Sequence, residues 1–279
     1  MHEMPVVGAP FASRTLGSTG LRVGPIGLGS SFGLEQGDVE WAVDQGCNYL
    51  YWGSLRRKGF GDAMRHLAKT RRDDVVLVVQ SYARIGWLFR RSFHAALRKL
   101  GTDHVDVLLL GMWNKTVRPS ILAAATRLRD EGKCRFIAMS THYRSQARRW
   151  LEEGEPNLDI LHVRYNAAHR GAEDEVFPAC TAEGPGVVAF TATRWATLVK
   201  PGPDLEHPLT AADCYRFALS HPAVHNCLSG PANRAQLEEA VAAIEKGPLT
   251  EKEQAHIRKV GDHVYQSRKG RGETTFVRR

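Results

Sequence analysis

Seven apolar runs recur along the chain at intervals that leave room for one helix between neighbours, and this alternation limits the fold more than any other feature. The runs are CNYLY, DVVLVVQ, VDVLLLG, CRFIAMS, LDILHV, GVVAF and AVHNCLS. Gly, Asp or Asn bounds them. They are apolar nearly throughout, as strands covered on both faces should be. Between them lie segments of helical periodicity, among them WLFRRSFHAALRKLG, ILAAATRLRDEG, YRSQARRWLEEG, TAADCYRFALSHP and RAQLEEAVAAIEKG. Several of these close on Gly, the usual left-handed helix stop.

Ahead of the first run, RTLGSTGLRVGPIGLGSS reads as a hairpin that turns at GSTG between Leu16 and Leu21 and continues into a strand over 25–29. That strand raises the number to eight, each followed by a helix or loop. Right-handed crossovers then close an α/β fold of the (β/α)8 TIM-barrel type with an N-terminal β-hairpin. An open doubly wound sheet shares the alternation, but no G-x-G-x-x-G follows an early strand. At 279 residues the chain suits one barrel domain, 13–266, between a flexible N-terminal tail, 1–12, and a basic flexible C-terminal tail, 267–279.

Hydrophobic residues make up 43% of the chain, enough for a sizeable core, yet no run of about 18 apolar residues exists to span a bilayer. The start, MHEMPVVGAPFASR, has no apolar stretch behind a basic one, so a cytoplasmic protein is expected. Five scattered cysteines without a C-x-x-C pair point to reduced thiols rather than disulfides or zinc. H-E-x-x-H is absent too, so no metal is expected. The net charge of +8 is spread over helices and the C-terminal tail, which reads as solvated surface and argues against a nucleic-acid or membrane partner. A small-molecule ligand is the expected partner, and the sequence leaves the oligomeric state open.

Several strings resemble one family in order and spacing. RTLGSTGLRVGPIGLG resembles the opening hairpin and first strand of the aldo-keto reductases, LRKLGTDHVDVLLL their approach to strand four, and DEGKCRFIAMS their approach to strand five. HVRYN is similar to strand six, GVVAFT to strand seven, and SGPANRAQLEEAVAAI to the strand-eight loop and helix. The resemblance spans roughly 13–246. It implies NADP(H)-dependent carbonyl reduction by an Asp, Tyr, Lys and His tetrad, in which the Lys depresses the Tyr pKa so that the phenol can protonate the substrate oxygen. In this chain the four positions fall on Tyr51, Arg56, Gln80 and Gly111, and no Tyr lies between Trp52 and Ser81. The family's proton relay is therefore not expected to operate. Loss of a positioned acid typically costs about 10²- to 10⁴-fold.

Strand ends at the C-terminal face of a barrel carry the chemistry. Tyr51 is a candidate relocated acid, with Arg56, Arg57 or Arg84 to lower its pKa, or else a pocket wall. His142 and His162 are candidate bases or structural hydrogen-bonding groups. Trp52, Tyr82, Trp113 and Arg164, with Trp195, read as a substrate pocket, and the basic stretch 56–58 suits an anionic group or is plain surface charge. The resemblance implies cofactor contacts at Ser140, His162, Phe190, Thr191, Gly230, Asn233, Arg234, Gln236 and Glu239, with His162 where the family has a Gln on the nicotinamide amide. Asn233, Ala240 and Thr141 depart from the family pattern, and Arg234 stands ready to replace the charge lost at 233. Three functions remain open. One is a divergent oxidoreductase, another a cofactor-independent enzyme of isomerase, cyclase or dehydratase type, and the third a non-catalytic binding or regulatory protein, a pseudoenzyme.

Overall fold

The computed structural model describes residues 6–30, 32–53, 56–202 and 205–268. The chain opens with an antiparallel hairpin of β1 (Arg14–Thr15) and β2 (Arg22–Val23). Eight parallel strands follow: β3 (Ile26–Gly29), β4 (Tyr49–Trp52), β5 (Val76–Ser81), β6 (Val105–Leu110), β7 (Cys134–Thr141), β8 (Ile160–Arg164), β9 (Gly186–Phe190) and β10 (Asn226–Ser229). They pair in chain order, and β10 closes on β3, so the expected (β/α)8 barrel with its N-terminal hairpin is the fold.

Outside the strands lie α1 (Gln36–Asp44), α2 (Lys58–Thr70), α3 (Gly86–Leu100), α4 (Pro119–Asp130), α5 (Arg144–Glu152), α6 (Ala172–Glu175), α7 (Ala211–Leu219) and α8 (Arg234–Lys246). A last helix, α9 (Glu251–Arg268), packs across the outside. Its buried face is a narrow stripe of Ile257, Gly261 and Val264 between charged residues, too thin to stand out as a helix in the sequence. A Cβ on Gly261 would sit 2.1 Å from the Ala167 carbonyl oxygen, which sets how closely α9 approaches the barrel. The helix runs past the expected domain end at 266; the rest of the C-terminal tail lies outside the described residues. At the other end the expected tail boundary at 12 moves inward. Phe11 is buried, and its N–H donates to Ile244 O at 3.0 Å, because an apolar ring finds cover against the α8 terminus.

Two apolar cores follow from strand alternation. Outward residues such as Leu50, Trp52, Leu77 and Leu108 pack under the helices. Inward residues, Tyr49, Val76, Val78, Val107, Leu109, Ala138, Ile160 and Val188, fill the barrel, and Leu16, Leu21 and Val23 of the hairpin stop its N-terminal end. The hairpin sits tightly: Gly17 has φ 53°, and a Cβ there would lie 2.3 Å from Gly186 N. On β3 the sequence IGLG leaves Gly27 and Gly29 beside Tyr49 and Tyr51 in register. A Cβ on Gly29 would lie 3.6 Å from Tyr51 Cδ1, and one on Gly27 would lie 2.6 Å from Asn226 Oδ1. Among the described residues no helix is long and apolar enough to cross a membrane.

Candidate functional site

β4 and β8 lie opposite one another in the closed ring of eight. Tyr49 and His162 meet across the interior, hydroxyl to Nε2, at 2.8 Å. Both are buried, and burial pushes the His162 imidazole down to about 3. Tyr51 stands one layer higher, edge-on to His162 with ring centroids 6.2 Å apart. His162 is thus closed between two phenols, away from the mouth. The expected base or nicotinamide partner is a structural group, because its strand position points it to the axis where Tyr49 takes its nitrogen.

At the mouth three of the four residues on the tetrad positions, Arg56, Gln80 and Gly111, converge. Gln80, 2% exposed and last but one in β5, lays its amide over Gly111 just beyond β6. A Cβ on Gly111 would sit 1.4 Å from Gln80 Nε2, so the space a side chain at 111 would need is filled by the amide. Arg56, in a left-handed backbone conformation at φ 42°, turns back and donates from Nη2 to Gln80 O at 3.0 Å. Arg84 donates from Nη2 to Gly111 O at 2.8 Å and Met112 O at 3.0 Å, with its guanidinium 4.1 Å from the Trp113 ring centroid. Burial, then the neighbouring Tyr82 hydroxyl, holds the Tyr51 phenol well above its ordinary range. That is opposite to what the relocated-acid expectation requires.

Trp52 leaves the expected substrate pocket. Alternation turns it outward, and its ring packs against α2, where a Cβ on Gly61 would meet it at 2.9 Å. Trp113 is 5% exposed beneath Arg84, while Tyr82 is 41% exposed at the rim. At the end of β7, Ser140 Oγ accepts from Met112 N at 2.9 Å, fixing the loop after β6. His142 packs edge-on to Phe190, centroids 5.5 Å apart; burial and then the Arg164 cation hold its imidazole below the ordinary value. Phe190 and Arg164 pair in register at the ends of β9 and β8, both half-buried. Thr191 has φ 61°, and its carbonyl accepts from Asn166 Nδ2 at 2.9 Å.

Side chains after β10, expected to face a cofactor phosphate, are engaged with their own loop. Asn233 Oδ1 accepts from Gln236 N at 3.1 Å and Gln236 Oε1 from Ala232 N at 2.9 Å, so α8 caps its own N-terminus. Glu239 accepts from Ala211 N at 2.8 Å. Arg234 lies 3.7 Å from the Trp41 ring centroid and pairs with Glu238 at 2.9 Å and Asp38 at 3.6 Å. The Phe32 ring covers Gly230, 2.7 Å from where a Cβ would be.

Sequence reasoning missed Tyr49, Met112 and the placement of Arg84 over β6. A rigid strand between Gly27 and Val76 gave no hint that a phenol would reach across to residue 162. Arg84 had a signal, an isolated cation three residues past a buried strand.

The profile of the aldo/keto reductase family matches residues 60–202. L-galactose dehydrogenase of Arabidopsis thaliana is 26% identical over 83% of this chain and 87% of its own length. Norsolorinic acid reductase B of Aspergillus parasiticus is 25% identical over 61% of this chain and 54% of its own. Among solved structures, aldo-keto reductase AKR11C1 from Bacillus halodurans in its holo form superposes with a TM-score of 0.74 at 23% identity, covering 90% of this chain and 96% of that one. The last likeness is one of fold. With the profile spanning just over half the sequence and the relatives being dehydrogenases and reductases, this chain belongs to the aldo/keto reductase family, whose oxidoreductases typically bind NAD(P)H.

Proposed function

We propose that this chain is a small-molecule-binding barrel that does not reduce carbonyls by the family's proton relay. The observation that carries the reading is the refilled mouth: the Gln80 amide takes the space above Gly111, and the Arg56 guanidinium rests on the Gln80 carbonyl. Gln80 is neutral, so no ammonium on β5 stabilises a phenolate, and the Tyr51 phenol is shifted up rather than down. Burial, with the Arg164 cation for His142, holds the His142 and His162 imidazoles below the ordinary value, which disfavours the imidazolium a proton donor would need.

The residues after β10 do not fit NADP(H). Arg234 would face a 2′-phosphate while clasped by two carboxylates, and the N–H groups of Ala232 just before α8 and of Gln236 in its first turn are already bonded. At the nicotinamide end His162 is closed off under Tyr51. No chemical step is assigned to a cofactor here.

A second reading, cofactor-independent chemistry of isomerase or dehydratase type, is favoured by the two guanidiniums at strand ends, since fixed cations stabilise an enolate-like oxyanion. His142, its imidazole held below the ordinary value by burial and then Arg164, is its base.

The test is steady-state reduction of glyceraldehyde and benzaldehyde with NADPH and with NADH, beside a titration of cofactor fluorescence. Turnover about 10²- to 10⁴-fold below that of a relay-bearing enzyme is expected. Turnover on the order of one per second with either cofactor would overturn the proposal.

A further inference from the structure

The geometry points to the mouth beside β5 and β6 as a binding site for an aromatic carboxylate, held by Arg56 and Arg84. The inference rests on the reading that the mouth binds a small molecule, and it names the class of that molecule. Both guanidiniums are half-buried, and burial lowers the pKa of each. Their partners are neutral: Arg56 has the Gln80 carbonyl and the Trp52 ring, Arg84 the Gly111 and Met112 carbonyls and the Trp113 ring. Among the described residues no carboxylate pairs with either. The full charge that bears on Arg84 is that of Arg118, a second cation.

Three other arginines with buried or half-buried side chains are matched with acids. Arg216 has Glu253, Arg258 has Glu173 and Arg144 has Glu175, each at 2.8 Å. A partly desolvated cation without an acid is costly, and an anion taken from solution relieves that cost.

Charge around the site has one sign. The described residues of the loops that leave β4, β5, β6 and β7 (53 and 56–57, 82–85, 111–118 and 142–143) contain Arg56, Arg57, Arg84, Lys115 and Arg118 and no Asp or Glu. The first turns of α2, α3, α4 and α5 contain no acid either. On the opposite face the loops entering β5, β6 and β7 carry Asp73, Asp74, Asp103 and Glu131. A cleft lined by one sign of charge draws an oppositely charged ligand toward it. Arg84 Nη1 and Trp113 Nε1 are also donors with no partner.

Two features narrow the anion to an aromatic carboxylate. Arg56 uses Nη2 for the Gln80 carbonyl and keeps Nε and Nη1 as donors for a planar pair of oxygens. Beside Arg84 the rim exposes Tyr82, Ile85, Trp87 and Leu88, at 41, 51, 64 and 38%, an apolar strip on which a ring can lie.

The experiment is calorimetric titration of the full chain with naphthalene-2-carboxylate and, separately, with the neutral naphthalene-2-carboxamide of the same shape. The carboxylate is expected to bind on the order of tenfold tighter or more, the range for charge-assisted hydrogen bonds, and Arg84→Gln and Arg56→Gln each to reduce that preference. Equal affinities in the unmutated protein, or no binding of either compound, would overturn the inference without recourse to any variant. Failure here is separable from failure of the reading above: aldehyde turnover with NADPH refutes that one, and absence of a carboxylate preference refutes this one.

Discussion

Arg234 and Arg84 both lie over an indole, 3.7 Å from the Trp41 centroid and 4.1 Å from that of Trp113, yet the chain treats their charges in opposite ways. Arg234 sits between Asp38 and Glu238 beside a helix end that caps itself. Arg84 and its neighbour Arg56 have carbonyls and rings, with no acid among the described residues. The loop where the family resemblance placed the cofactor phosphate is electrostatically complete. Beside β5 and β6, where the resemblance placed the proton relay, the charge is left open. Ligand chemistry should follow the open charge, which places it at the relay end of the mouth rather than the nucleotide end.

The two regions share a floor, the Tyr49–His162 pair, and the largest effect is expected there. An unfolded imidazole titrates near pH 6.5 and the buried one near 3. As pH falls through that window the unfolded chain takes up a proton that the folded chain refuses, so stability drops between 6.5 and 3 and is flat above 6.5. His162→Gln keeps an acceptor for the Tyr49 hydroxyl and removes the titration. Its urea midpoint should therefore change less across this range, by an amount on the order of several kcal/mol at the acid end. His169, also held down to about 3, contributes to the slope that remains, with His142 and His94, held below their ordinary value, and Glu253, held down to about 2. An unaltered slope in His162→Gln would mean that the floor takes up protons and is open from above.

A smaller effect is expected from Gly111→His, which restores the residue type that the resemblance implies at this position. The imidazole enters space held by Gln80, and overpacking of this kind costs about 1–3 kcal/mol. Adding Gln80→Ala should recover part of that loss, with a coupling of about 0.5–3 kcal/mol between the two changes in thermal unfolding. Strictly additive effects would show that the amide does not fill the site, and the contrast between a refilled relay and a loop after β10 that satisfies its own groups would lose its first half.

Which parts of this arrangement were legible beforehand follows the range of the forces involved. Apolar runs such as VDVLLL and the GSTG turn declare themselves within ten residues, so the barrel and its hairpin could be read locally. Tyr51, Gln80 and Gly111 stood out because flanking strings anchored them. What could not be read were contacts set by closure of the ring: Tyr49 with His162 across 113 residues of sequence, Arg170 with Asp262 across 92, and Arg234 with Asp38. Each needs the strand order before either partner has a meaning. Trp52 was misplaced for a simpler reason. Tyr51 and Trp52 are adjacent, a strand sends adjacent side chains to opposite faces, and one of the two had to point away from the mouth.

The smallest effect is the most discriminating. Arg234→Gln removes a cation whose side chain is 39% exposed, and exposed pairs contribute about 0–1 kcal/mol, so unfolding should hardly change. Naphthalene-2-carboxylate affinity should not change either. Arg84→Gln removes the same unit of charge from the same +8 chain, on the same face of the barrel, and should abolish most of the carboxylate preference. Because the two variants have equal net charge, long-range attraction is matched between them and only local pairing differs. Equal losses would therefore mean that anions are drawn by the overall field of a basic protein and that nothing at Arg84 recognises them. A loss confined to Arg84→Gln would assign recognition to the guanidinium that the fold left without an acid.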